Sequence, residues 1–236
     1  MSWWPFNKAN PRPELSAEQL QRLRAWQQLP HPAKQQPLPR QRWVVMDSES
    51  SGLDLQRDRL LSLAAVGVEQ ATIQVSQSFD CRLQQTEASS DANILIHGIG
   101  AQEQRSGQAP ADALLDFLHF AGRDILVAFH ADFDRTMLDR ALAQYLGKQP
   151  LQWLDLADLC PALFPELAPG RKTLDDWLAA FDIEGFERHN ALSDAWVSAE
   201  LFLIALAHLP ANIRNSSDLQ TFAGQARKRR QLNGGW

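Results

Sequence analysis

Three short segments carry acid and imidazole side chains that could act together. Asp47-Ser48-Glu49 closes an apolar run, Trp43 to Met46. In an extended chain, residues two apart point to the same side, so Asp47 and Glu49 project together. Two neighbouring carboxylates repel each other unless something positive lies between them, and a divalent cation is the natural answer. Phe129-His130-Ala131-Asp132-Phe133-Asp134 follows a second apolar run, Ile125 to Val127, and enters a helical pattern. Asp134 then stands near a strand-to-helix junction, where ligands collect in α/β sheets. Arg188-His189-Asn190-Ala191-Leu192-Ser193-Asp194-Ala195 puts a histidine just before a helix and an aspartate inside it. Asp194 has small or apolar neighbours, and an inward-facing aspartate needs a partner or a cation.

Each segment alone has a plainer reading. Acid-x-acid occurs at solvated strand ends, an acid in a first turn is favoured by the helix dipole, and a histidine before a helix can be a cap. Together they supply four carboxylates and one imidazole. Four hard oxygen donors suit two Mg²⁺ or Mn²⁺ ions, which keep waters and bind phosphate as well. Two such ions roughly 3.5–4 Å apart stabilise the attacking and leaving oxygens in phosphodiester cleavage. An imidazole, which titrates near neutrality, suits the proton of the attacking water.

Something must position these groups. Short apolar or alternating runs predict strands at 43–46, 60–68, 72–82 and 125–129. The links among the first three are too short for crossover helices, so they form an antiparallel meander. Amphipathic patterns predict helices at 111–121, 132–146, about 155–164, 173–181 and 190–208. Strands followed by alternating strands and helices predict an α/β mixed sheet flanked by helices. Residues 1–42 form a proline-rich basic extension, with one short helix from about Ser16 to Gln28 and an extended Pro30–Pro39 link. Trp3, Trp4 and Phe6 offer it an apolar patch for the body or for a partner. The body runs over 43–210, and 211–236 form a C-terminal segment with a basic tail.

The chain has 236 residues and a net charge of −5, unevenly spread. Residues 1–42 hold seven Lys/Arg and two Glu, and 227–230 add four more cations. The stretch between holds twelve Lys/Arg against 26 Asp/Glu. An acidic body suits cation-holding carboxylates better than coating of nucleic acid. The length fills one domain. The cysteines, Cys81 and Cys160, are too few and too far apart for a disulfide framework or a cysteine zinc site. No apolar run reaches the length of a membrane span, and the first residues do not read as a secretory signal. The expected setting is cytoplasmic, with no membrane partner.

The motifs resemble the DEDDh group of 3′–5′ exonucleases, which includes the proofreading (epsilon) subunit of bacterial DNA polymerase III. Asp47-Ser48-Glu49-Ser50-Ser51-Gly52-Leu53 is similar to its first motif, with Ser-Ser in place of Thr-Thr. Ile96-His97-Gly98-Ile99 resembles a segment that approaches the terminal nucleotide in relatives. Val127 to Asp134 resembles the second motif, with Phe129-His130 where relatives usually carry His-Asn, and His189 to Ala195 resembles the third. The match covers about 43–206. It implies a ribonuclease H-like fold with a mixed five-stranded sheet, the first three strands antiparallel.

The resemblance further implies Asp47, Glu49, Asp134 and Asp194 as ligands of two Mg²⁺ or Mn²⁺ ions and His189 as general base. Ser50, Leu53, His97 and His130 are the candidate substrate contacts. The expected substrate is the 3′ end of single-stranded or frayed DNA, with RNA the lesser preference. An accessory module that recruits a partner, such as a polymerase, through residues 1–40 is the competing expectation. No polymerase-binding motif is legible.

Overall fold

The computed structural model describes residues 13–185 and 189–232. Trp43–Ser50 (β1) opens with four fully buried apolar residues. Leu60–Glu69 (β2) is buried along all but its last residue, and Thr72–Arg82 (β3) is the half-exposed edge. These three form the antiparallel meander, turning between β2 and β3 at Gln70 and Ala71, both at positive φ. Ile125–Ala128 (β4) pairs parallel to β1, and Trp153–Asp155 (β5) pairs parallel to β4. The order is β3-β2-β1-β4-β5, the five-stranded mixed sheet that the resemblance implies; the short β5 is not among the runs that read as strands.

The helices are Ala17–Gln27 (α1), Asp91–His97 (α2), Ala101–Arg105 (α3), Pro110–Ala121 (α4), Ala131–Tyr145 (α5), Leu156–Leu163 (α6), Leu174–Ala180 (α7), Ala191–Ala207 (α8) and Ser216–Leu232 (α9). They divide between the two faces of the sheet. Val44 and Met46 belong to a core with Leu114, Leu118, Leu138 and Leu142 of α4 and α5. Trp43 and Val45 belong to a second core with Leu159 of α6 and Leu201 and Phe202 of α8. The pleat of β1 thus alternates between an α5 side and an α8 side. Continued through the polar end of the strand, it sends Ser48 toward α5, and Asp47 and Glu49 toward α8.

Two regions differ from the sequence reading. The stretch between β3 and α4 holds two short helices, α2 and α3. Ser90 caps α2, and Gly98 ends it at φ 69°, a left-handed conformation that glycine adopts without strain. The basic C-terminal tail, where the sequence reading gives no helix, is helical. It belongs to α9, whose Leu219, Ala223 and Ala226 are buried against the body. Its Arg227 pairs with Asp132, and Arg230 Nε stands 2.8 Å from Asp158 Oδ1.

The N-terminal helix is where the sequence puts it, and it is docked. Leu23 and Trp26 are buried. Trp26 Nε1 donates to the Gly122 carbonyl at 2.7 Å, and the Arg123 guanidinium lies 4.3 Å from the Trp26 ring centroid. Trp3, Trp4 and Phe6 lie outside the described residues.

Candidate metal centre

One carboxylate oxygen from each of Asp47, Glu49 and Asp194 lies within 4.8 Å of the other two. The first two arrive there by the alternation of β1. Asp194 is brought by the start of α8. Asn190 caps that helix, accepting the Ser193 N–H at 3.2 Å, and the Asp194 N–H bonds the Asn190 carbonyl at 2.9 Å. Ala191 and Ala195 are buried beside Asp194, which turns its side chain inward. His189 sits at φ 60°, and its backbone N–H donates to Asp194 Oδ2 at 3.1 Å. Three carboxylates this close favour a divalent cation among them, and their oxygens are the hard donors that Mg²⁺ and Mn²⁺ take.

Asp134 stands apart from that trio. It is buried in the first turn of α5, and its Oδ1 accepts the Ser48 hydroxyl at 2.6 Å. Burial pushes its carboxyl up to about 7, with the Ser48 hydrogen bond pulling down and the Asp155 charge pushing up. Three of the four expected acids therefore converge. The fourth meets the same strand from the α5 side, through the residue between Asp47 and Glu49.

Glu49 and His189 share the wall of a cleft of about 400 Å³ with Arg82, Ile96 and His97. His189 is exposed. His97 is turned inward. Its Nδ1 accepts the Ile99 N–H at 3.0 Å, and its Nε2 lies 3.2 Å from Ser89 Oγ. With Nδ1 accepting, the ring is neutral with its proton on Nε2, and burial lowers its pKa. His97 thus holds the turn that leaves Leu95 and Ile96 exposed.

Leu53 is 85% exposed, and Ser50 Oγ donates to the Gly52 carbonyl of the same loop at 2.6 Å. His130 takes a left-handed conformation at the start of α5, with Nε2 2.9 Å from the Lys172 carbonyl. Sequence reasoning passed over Ser48 as a partner for Asp134. The signal was present: a residue between two co-facing acids in a strand points to the opposite side. Asp155 caps α6 through the Ala157 N–H at 2.9 Å and also accepts the N–H of Ala131, the first residue of α5.

A ribonuclease H-like sheet with acids at the end of its central strand defines a nuclease scaffold. A family model described as Exonuclease, RNase_T, matches residues 44–202. The chain belongs to this exonuclease family. It is 31% identical over 170 residues to the DNA polymerase III PolC-type of Bacillus subtilis, covering 70% of this chain and 11% of the relative. It therefore spans only a small part of that protein. It is 29% identical over 171 residues to the DNA polymerase III subunit epsilon of Aquifex aeolicus, covering 71% of this chain and 81% of the relative.

Among solved structures, E. coli Exonuclease I in complex with a dA16 oligonucleotide aligns with a TM-score of 0.62 at 16% identity, over 72% of this chain and 42% of that one. Exonuclease X in complex with 5′ overhanging duplex DNA aligns at 0.59 and 19%, over 77% of this chain and 99% of that one. At these identities the two structures establish the shared fold.

Proposed function

We propose that the protein hydrolyses phosphodiester bonds from the 3′ end of single-stranded or frayed nucleic acid, DNA in preference to RNA. The observation that carries this reading is the convergence of Asp47, Glu49 and Asp194 within 4.8 Å, beside a cleft that His189 also lines. Asp47, Glu49 and Asp194 would hold the divalent ions, with Asp134 the fourth acid at the same strand end. Bound there, two Mg²⁺ or Mn²⁺ ions supply positive charge to the attacking and leaving oxygens.

His189 takes the proton of the attacking water. Its place follows from Asp194, which anchors the His189 backbone and leaves the ring exposed. Leu53 offers apolar surface to the last base. Ser50 and His97 act on the substrate through the loop and the turn that they hold, and His130 through the Lys172 segment. The acidic body fits an enzyme that grips a few terminal nucleotides at metals and does not coat a long duplex by charge.

The names of the relatives support DNA and a polymerase setting, hence proofreading or repair. Two free thiols fit a reducing cytoplasm. Among the described residues no helix is long and apolar enough to cross a membrane. An arm that recruits a polymerase would rely on residues 1–12, outside the described residues, and on the linker, because α1 already spends its apolar face on the body.

The test is a 5′-labelled single-stranded oligonucleotide, as DNA and as RNA, with Mn²⁺, Mg²⁺ or EDTA. A ladder shrinking from the 3′ end, metal-dependent, faster on DNA and lost in a His189→Ala, Asp194→Ala variant, is the expected result. Intact substrate in every lane with folded protein overturns the reading.

A further inference from the structure

The loop 51–59 leaves β1 two residues after Glu49 and carries the exposed Leu53. An apolar side chain held out in solvent keeps one position only if its loop is fixed. Part of the fixing is internal. The Asp58 carboxylate accepts the Ser51 hydroxyl and the Asp54 N–H, each at 2.8 Å, and the Ser51 N–H bonds the Arg59 carbonyl at 2.9 Å.

The Asn93 amide of α2 donates to the Ser51 carbonyl, the Arg59 guanidinium donates to the Glu87 carbonyl at 3.0 Å, and α5 adds a third hold. Arg140 Nη1 donates to the carbonyls of Leu55 and Asp58, and Nη2 donates to that of Gln56. The last two bonds are each 3.0 Å. One planar guanidinium thus spans three carbonyls of a four-residue stretch, which a lysine ammonium on a flexible stem does not reproduce. The helix that carries Asp134 therefore grips β1 and its loop at two points: Asp134 on Ser48, and Arg140 on residues 55–58. Between them lie Glu49 and Leu53.

We propose that Arg140 is a positioning residue for substrate binding. By clamping to α5 the loop that follows the acids in the chain, it fixes Leu53, and so sets how firmly the last nucleotides of a strand are held. This rests on the exonuclease reading above. Arg140 bonds the loop and not the acids, so its loss acts on the grip on a polynucleotide and spares bond cleavage.

The experiment compares the parent with Arg140→Met, Arg140→Lys and Leu53→Ala. The substrates are a single-stranded DNA oligonucleotide and the p-nitrophenyl ester of thymidine 5′-monophosphate, which has one nucleotide and no second base to separate. For Arg140→Met the expected result is a KM for the oligonucleotide about tenfold higher, with kcat and ester turnover within about twofold of the parent. Leu53→Ala shows a similar rise on the oligonucleotide, and the double variant is no worse than either single one. Arg140→Lys keeps an intermediate KM.

Amide hydrogen exchange without metal reads the clamp directly. It should quicken over residues 53–58 in Arg140→Met and stay unchanged over 44–48. An unchanged KM, an equal loss of kcat on both substrates, additive effects with Leu53→Ala, or unchanged exchange would each overturn the proposal. A parent inert on both substrates overturns the exonuclease reading, and with it the substrate role of Arg140; the exchange result then still decides the clamp.

Discussion

The hydroxyl of Ser48 donates to the carboxylate of Asp134 at 2.6 Å, joining residues 86 positions apart in the chain. The bond follows from the pleat of β1. The strand that turns Asp47 and Glu49 toward α8 must turn Ser48 toward α5, and Asp134 stands in the first turn of α5. One tripeptide therefore addresses both sides of the sheet. A buried carboxylate whose charge burial disfavours is held first by the Ser48 hydroxyl, with the Asp134 and Ser48 backbones adding weaker support.

Replacing Ser48 by Ala leaves Asp134 buried without that donor. The expected cost is about 1–3 kcal/mol of unfolding free energy at pH 8, measured by urea titration in EDTA. The carboxyl should also titrate higher than in the parent, because the Ser48 bond is the largest influence pulling it down. An unchanged midpoint would mean that solvent replaces the hydroxyl and that Asp134 is less enclosed than its 4% exposure indicates.

Asp134→Asn should act in opposite directions on stability and activity. The amide keeps the shape and can still accept the Ser48 hydroxyl, but it removes a buried negative charge. Without metal at pH 8 the variant should unfold about 1 kcal/mol later than the parent, as substitutions that relieve a strained functional site commonly do. Exonuclease activity should fall by about a hundred- to a thousandfold, the scale of losing one electrostatic contributor to the reaction. A variant of parental activity would remove Asp134 from the acid set.

Metal should stabilise the protein through the three-acid cluster. A ligand that binds only the folded state adds about 2.7 kcal/mol at a hundredfold excess over its Kd. The melting temperature of the parent should therefore climb with Mn²⁺ or Mg²⁺. In Asp194→Asn the climb should largely vanish, because one of the three converging oxygens loses its charge. Equal shifts in both proteins would place the bound cation elsewhere on the acidic surface.

The legibility of the chain follows the same physics. Trp43 to Met46 is readable because a central strand buried on both faces is apolar without interruption. Asp47 and Glu49 are readable as a pair because alternation is local. The contacts Ser48–Asp134 and Arg140–Leu55 join residues 86 and 85 positions apart, and no local pattern announces them. Helix α9 escaped because alanines make up much of its buried face, which leaves little apolar periodicity to read. Helices α2 and α3 are too short for a periodic signal.

The docking of α9 gives a charge test. Asp158 is buried on α6, and burial together with the nearby Asp155 charge pushes its carboxyl up to about 6. Arg230 and Arg227 of α9 pull it down, and Asp132 of α5 pushes it up slightly. Arg230 Nε is 2.8 Å from Asp158 Oδ1 without the alignment of a hydrogen bond, so its effect is mainly charge on charge. A carboxyl raised on folding holds a proton that the unfolded chain has released, so this group costs stability as pH rises from about 4 to 6. Arg230→Met raises the folded value further. The loss of stability should therefore be small at pH 5, where native Asp158 is largely protonated in both proteins, and full at pH 8, where it must ionise beside one fewer cation. Urea titrations at the two pH values should show a deficit of about 2 kcal/mol at pH 8 and less than half of that at pH 5. An equal deficit at both would show that the apolar stem of Arg230, and not its charge, holds α9 against α6.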